Sequence, residues 1–264
     1  MAMKVQVLVA TMNQTDYSLL EKMNIQTDAI IGNQCDRNEI TEFEYQNRMV
    51  KWFSFNERGV GLNRNNTLMR ATEDIVLFAD DDVVYSDGYE DTIIKFYKSH
   101  PDADVVIFNL KMKRGENSFF ERVTKEGRVS RLSATKYGTY CISARRDKLR
   151  FANVYFHMDF GGGTKYCSGE DSVFLQDCYR KRLKVYATKA LIGVLDHGES
   201  TWFKGYNEKY FFDKGVLFAT LFPAECYGYA LIHCIKKRNK YKTYGWKKGY
   251  WQMLKGIRHR KRDL

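Results

Sequence analysis

Short runs of apolar and β-branched residues recur along the first half of the chain, and each ends in a polar cluster. Residues 5–10 run apolar into Thr11-Met12-Asn13-Gln14, which predicts a buried parallel strand ending in a loop. Residues 29–31, 50–54, 75–79 and 104–110 repeat the pattern. Between them, residues 17–23, 63–72 and 89–99 carry helical spacing, while Gly59-Val60-Gly61-Leu62 reads as a flexible loop. Alternation of strands and helices predicts an α/β fold around a mostly parallel sheet. In such sheets ligands bind beyond the carboxyl ends of the strands, which gathers the loops at Thr11, Asn33 and Asp80 onto one edge. Residues 111–143 shift to shorter alternating segments and predict antiparallel strands. A helix over 171–182 follows Gly161-Gly162-Gly163, with short strands at 184–187 and 191–195. Helices dominate after residue 200. The pattern divides the chain into a catalytic domain, 1–203, and a helical C-terminal extension, 204–264.

Charge sharpens that division. The net charge of the 264 residues is +11. Residues 236–264 hold twelve lysines and arginines against one acid, Asp263, so the preceding body is neutral. A basic, aromatic tail on a neutral body fits an anionic membrane surface better than nucleic acid, for which no motif is present. The six cysteines form no C-x-x-C pair and the first residues have no signal-peptide layout, so we expect reduced thiols and a cytoplasmic protein.

The strand at 75–79 runs into Asp80-Asp81-Asp82. Adjacent carboxylates repel, and a divalent cation with oxygen ligands relieves the repulsion. The alternative is a solvated acidic turn. Glu170 and Asp171 open the helix predicted at 171–182, either as helix caps or as a general base for a hydroxyl acceptor. His197, after a short apolar strand and beside Gly198, is either a structural histidine or a further metal ligand.

In this order the segments resemble family 2 glycosyltransferases of the GT-A fold, over residues 4–203. Val7-Leu8-Val9-Ala10-Thr11-Met12-Asn13 is similar to that family's opening strand and nucleotide loop, with Ala10 where a proline is usual. Arg58-Gly59-Val60-Gly61-Leu62-Asn63-Arg64-Asn65 resembles its glycine loop and Arg-Asn pair. Phe78-Ala79-Asp80-Asp81-Asp82 resembles its DxD motif, Ser168-Gly169-Glu170-Asp171 its acidic catalytic motif, and His197-Gly198-Glu199-Ser200-Thr201 its late histidine segment. The second strand ends in Asn33-Gln34-Cys35-Asp36, where the family more usually has Asp-Asn-Ser-Ser.

The resemblance implies an inverting transfer from a nucleoside-diphosphate sugar, with a lean toward UDP, to a glycan or lipid-linked glycan hydroxyl in surface polysaccharide synthesis. It implies Asp171 as base, with Glu170 as second choice. It places Thr11, Asn33, Gln34, Asp36, Gly61, Arg64, Asp80 and Asp81 around the sugar nucleotide. Mn²⁺ or Mg²⁺ would sit on Asp82, with Asp80 and His197 assisting. A metal-dependent nucleotidyltransferase, which would release pyrophosphate, is the competing enzyme class.

In the extension, residues 215–222 and 227–235 are apolar but interrupted by Pro223 and Glu225, too short for a membrane span. Trp246, Tyr250 and Trp251 among Lys247, Lys248 and Lys255 predict a helix lying in a membrane interface. The alternative is a helix packed on the core or pairing subunits of a homo-oligomer.

Overall fold

A computed structural model describes residues 2–113, 118–196 and 205–262. Its strands are β1 (Val5–Met12), β2 (Asp28–Gln34), β3 (Glu39–Tyr45), β4 (Arg48–Phe55), β5 (Ile75–Asp80), β6 (Val83–Tyr85), β7 (Val105–Lys113), β8 (Phe119–Phe120), β9 (Gly127–Arg128), β10 (Ile142–Arg145) and β11 (Val185–Leu195). Its helices are α1 (Leu19–Lys22), α2 (Val60–Arg70), α3 (Tyr89–Ser99), α4 (Arg131–Ala134), α5 (Arg146–Ala152), α6 (Glu170–Arg180), α7 (Glu208–Leu221), α8 (Cys226–Lys236) and α9 (Trp246–Arg262).

The strands form one sheet in the order β3-β4-β2-β1-β5-β10-β7-β11-β6, with β8 on β7 and β9 on β11. The run β4-β2-β1-β5 is parallel. Its central strands are buried on both faces, as near-continuous apolar runs require. Register places Thr11 opposite Asn33 and Ala10 opposite Asp80, so the polar ends of β1, β2 and β5 share one edge. That edge is the one expected from the sequence. β10 is antiparallel and sits between β5 and β7.

Three expectations change. Residues 60–62 are helical, because α2 starts at Val60 directly after Gly59. The two short strands expected at 184–187 and 191–195 are one strand with irregular register against β7. A hairpin of β3 on β4 was hidden, since residues 39–45 alternate charged and apolar positions and lie on the exposed sheet edge.

In the C-terminal region, α9 lies along α7. A Cβ on Gly215 would strike the carbonyl of Met253, and one on Gly256 would strike that of Phe212. The two backbones therefore approach within reach of each other only because both positions lack side chains. Met253 and Ile257 are buried with Phe211 in this seam. α9 is thus packed on a neighbouring helix through one face, while Trp251, Lys247, Lys248 and Lys255 stay exposed on it. No described helix is long and apolar enough to cross a membrane.

Candidate active site

Arg64 lies in the second turn of α2 with its side chain only 4% exposed. α2 packs on β1 and β2, which points this buried stretch at the carboxyl edge of the sheet. Its Nη2 donates to Asp80 Oδ1 at 2.6 Å, and its Nη1 donates to Glu170 Oε1 at 3.2 Å. Asp171 Oδ1 is 3.5 Å from Nη1. One guanidinium thus joins the end of β5 to the start of α6. Burial by itself would lower the Arg64 pKa, but the charges of Asp80, Asp171 and Glu170 outweigh it and hold it above the ordinary arginine value.

The neighbouring Asn65 fixes this helix to the chain before the acidic motif. Its Nδ2 donates to Phe156 O and its Oδ1 accepts from Phe156 N, both at 2.8 Å. Val60 N donates to Gly162 O at 3.0 Å. Gly161 packs against Val60 and Glu170, and a Cβ there would lie 2.8 Å from the Glu170 carboxyl carbon. Gly169, at φ 117°, turns the chain into α6 in a conformation that side chains disfavour.

Glu170 and Asp171 occupy the first turn of α6, where the helix end favours negative charge. Thr139 Oγ1 donates to Asp171 Oδ1. Burial, followed by the neighbouring Glu170 charge, pushes the Asp171 carboxyl up to about 7 against the pull of Arg64 and Thr139. A carboxyl with this poise can gain or lose a proton near neutral pH.

The aspartate triplet divides its work. Asp80 is held by Arg64. Asp81 Oδ2 accepts from Thr11 Oγ1 at 2.6 Å, and burial raises its pKa. Asp82 lies in the turn after β5, and its carbonyl accepts from Asp196 N at 3.1 Å. His197 and the segment resembling the late histidine motif lie outside the described residues, as does the rest of 197–204. Among the described residues no group of three His, Cys, Asp or Glu side chains is placed to share an ion.

The other residues expected at the nucleotide have varied surroundings. Asn33 is fully buried; its Oδ1 accepts from Gln14 N, and its Nδ2 donates to Gln14 O and Ser54 Oγ. Gln34 Oε1 accepts from Gly59 N at 2.7 Å. These two side chains fix the loop after β1 and the start of α2. Asp36 is exposed just past β2. Gly61 is not part of a flexible loop: it sits inside α2, where a Cβ would lie 2.8 Å from His157 O. Arg64 turns its two terminal nitrogens to acids of the chain. Thr139 escaped the sequence reading because it belongs to a segment read as antiparallel strands. It lies in a single 3-10 turn, Thr139–Cys141, and no sequence signal marks it.

Three solved structures from S. aureus have a similar fold. TarS 1–349 superposes with a TM-score of 0.62 at 16% identity, over 97% of this chain and 81% of that one. TarS 1–349 in complex with UDP-GlcNAc gives 0.58 at 18%, over 94% and 75%. TarS 1–349 in complex with UDP gives 0.55 at 18%, over 83% and 65%. A search of curated proteins finds no significant match. The family description "Glycosyl transferase family 2" matches residues 25–164, which span β2 through the glycine-rich loop before α6. With its GT-A sheet and the acids of β5 and α6 drawn together on Arg64, the chain belongs to glycosyl transferase family 2.

Proposed function

We propose that this glycosyltransferase moves a sugar from a UDP-sugar to a hydroxyl of a glycan or lipid-linked glycan acceptor, with inversion, in surface polysaccharide synthesis. The observation that carries the reading is Arg64, which holds the donor-side acid Asp80 and the acceptor-side acids Glu170 and Asp171 on one cation. The complexes of TarS with UDP-GlcNAc and UDP support a uridine nucleotide.

In this reading the acceptor hydroxyl loses its proton to Asp171 as its oxygen bonds to the anomeric carbon. The bond from that carbon to the diphosphate breaks on the opposite face, and UDP leaves. Thr139 and Arg64 hold the Asp171 carboxylate in place for the attack. Two carboxylates joined by substrate phosphates are a fitting oxygen donor set for Mn²⁺ or Mg²⁺. Asp82 and the Asp80 oxygen not engaged by Arg64 would supply them, with His197 assisting. Such an ion, when bound, stabilises the charge that develops on the leaving diphosphate.

A panel of sugar nucleotides, read by thermal stabilisation and by donor hydrolysis with and without Mn²⁺, tests the donor. A UDP-sugar at ~100 times its Kd should stabilise the fold by about 2.7 kcal/mol. Release of pyrophosphate instead of UDP would move the chain to the nucleotidyltransferases. Asp82→Ala should abolish the metal-dependent part of donor binding; unchanged affinity by calorimetry would remove Asp82 from the metal.

The membrane reading for α9 gains a second apolar stripe on α8. Tyr227, Leu231 and Ile235 recur one turn apart on α8, with Ile232 beside them, and Ile232 and Ile235 are 49% and 41% exposed. Lys261 Nζ stands 4.7 Å above the Tyr227 ring, and Lys236 and Arg238 follow the row. An apolar stripe rimmed by cations suits the inner, anionic face of a cell membrane. Leu231→Glu with Ile235→Glu should cut sedimentation with phosphatidylglycerol vesicles at least ~10-fold while leaving the fold intact, since both side chains face outward. Equal sedimentation of variant and parent would refute this face.

A further inference from the structure

Three consecutive residues lead the chain toward the acidic motif, and the C-terminal helices hold each of them. Lys165 O accepts from Lys209 Nζ at 2.8 Å. The Tyr166 hydroxyl lies 3.3 Å from His259 Nε2. Cys167 N donates to Asp213 Oδ2 at 3.0 Å. Lys209 and Asp213 belong to α7, and His259 to α9. Upstream, the chain is closed on itself and on α2. Tyr166 N donates to Asp159 O at 2.9 Å, Gly161 N to Tyr166 O at 2.8 Å, and Val60 N to Gly162 O at 3.0 Å. Cys167, Ser168 and Gly169 form the stretch between that closed loop and α6.

Asp213 is the side chain on which this stretch rests. It is 4% exposed, and its second partner is Lys209 Nζ at 2.7 Å, one turn earlier on α7. Beside it, Phe160, Tyr166 and Val173 pack with Val216, Leu217 and Leu221 in one buried cluster. A carboxylate in such a place costs stability unless its partners compensate. Lys209 is 60% exposed and therefore a weak partner. A leucine would fill the same space; what the carboxylate adds is an acceptor for the Cys167 amide.

α7 is itself fastened to both ends of α6. At the start, Leu217 covers Gly169 so closely that a Cβ there would lie 2.6 Å from Leu217 Cδ1. At the far end, Arg180 Nη2 donates to Thr220 O at 2.5 Å, and Arg131 Nη2 donates to Leu221 O at 2.9 Å. Asp213 thus stands on a splint along α6, and it grips the chain three residues before Glu170 and four before Asp171.

We propose that Asp213 is a positioning residue: through the Cys167 amide it sets where α6 begins, and so where Glu170 and Asp171 stand against Arg64. The C-terminal helices are then part of the catalytic apparatus rather than an appendage to it. The effect on rate rests on the glycosyltransfer reading; the mechanical hold does not. Asp213→Leu keeps the packing and removes the acceptor. Asp213→Asn keeps an oxygen for Cys167 N and gives up the charge. Hydrogen exchange read by mass spectrometry should show peptides covering 165–174 exchanging several-fold faster in Asp213→Leu. Peptides of β1 and β5 should be unchanged, and Asp213→Asn should stay close to the parent. Val173 N, bonded to Gly169 O at 2.9 Å, reports the start of α6 within that region. With a UDP-sugar, Asp213→Leu should lower kcat at least ~10-fold at unchanged donor KM, since a displaced reacting group costs rate and not donor binding. Asp213→Asn should recover most of that loss. If leucine disturbs folding, Asp213→Ala serves in the same comparison. Parent-like exchange at the start of α6 in Asp213→Leu would overturn the proposal, as would faster exchange there with an unaltered kcat. Equal damage from Leu and Asn would also overturn it, giving the effect to the ion pair with Lys209. A parent that transfers from no UDP-sugar, with the exchange pattern as expected, would instead sink the sugar-nucleotide reading and leave the hold of Asp213 on α6 standing.

Discussion

Replacing Arg64 with methionine is expected to destabilise the fold by about 3–5 kcal/mol and to abolish transfer, because it breaks a buried charge pair on one side only. The arginine is enclosed, and Asp80, Glu170 and Asp171 all lie within 3.5 Å of its terminal nitrogens. Methionine keeps most of the volume and removes the charge that faces all three. The stranded carboxylates must then take up protons or open the edge to water. Stability of the variant should therefore fall more steeply than that of the parent as pH rises from 5 to 8. Denaturant unfolding at both pH values measures this. A variant that melts with the parent, with the same pH dependence, would show that Arg64 is not the cation that holds the site together. Arg64→Lys should recover only part of the loss, since one ammonium cannot reproduce the fork that reaches two elements at once.

Asp171→Asn should lower transfer by at least ~10² while leaving donor affinity close to the parent's, since it removes proton acceptance and little else. The parent should show a rate that falls with decreasing pH through about 7, the value to which burial and Glu170 push this carboxyl. In the variant that limb should vanish from whatever activity remains. The same shift has a stability consequence of definite sign. A carboxyl raised from its ordinary 3.8 to about 7 favours the fold at acid pH, and that contribution is lost as pH rises through about 7. Asp171→Asn should therefore be less pH-sensitive than the parent above pH 4, and relatively more stable at pH 8. Near-normal turnover in Asp171→Asn, with a collapse in Glu170→Gln, would transfer the role to Glu170.

The parallel core of the sheet was legible because both faces are buried, so β1, β2 and β5 appear as plain apolar runs. The convergence of Thr11, Asn33 and Asp80 followed from topology, and register bears it out. β3 was hidden because an edge strand alternates and carries Glu39, Glu42 and Glu44. The start of α2 was misread because glycines at 59 and 61 signal a loop locally. Gly61 is instead needed for tertiary contact with His157 O, which no window of sequence contains. The same limit applies to the site. The acidic residue types were visible, but the partner of each acid was not. Arg64 and Asp171 are more than a hundred positions apart, and only the packing of α2 against the segment around Phe156 brings them together.

β10 has a consequence for how the chain is made. It lies between β5 and β7, yet it is synthesised after both. Until residues 142–145 emerge from the ribosome, the inner edges of β5 and β7 have no strand between them, and the stretches that β10 will pair, 75–77 and 105–107, are wholly apolar. A nascent chain that pauses within this interval presents two open hydrophobic edges, the form most prone to pairing with another chain. From the completion of β7 at Lys113 to the arrival of β10 both edges stand open; β10 then closes one edge of each strand, and the other edge of β7 waits for β11.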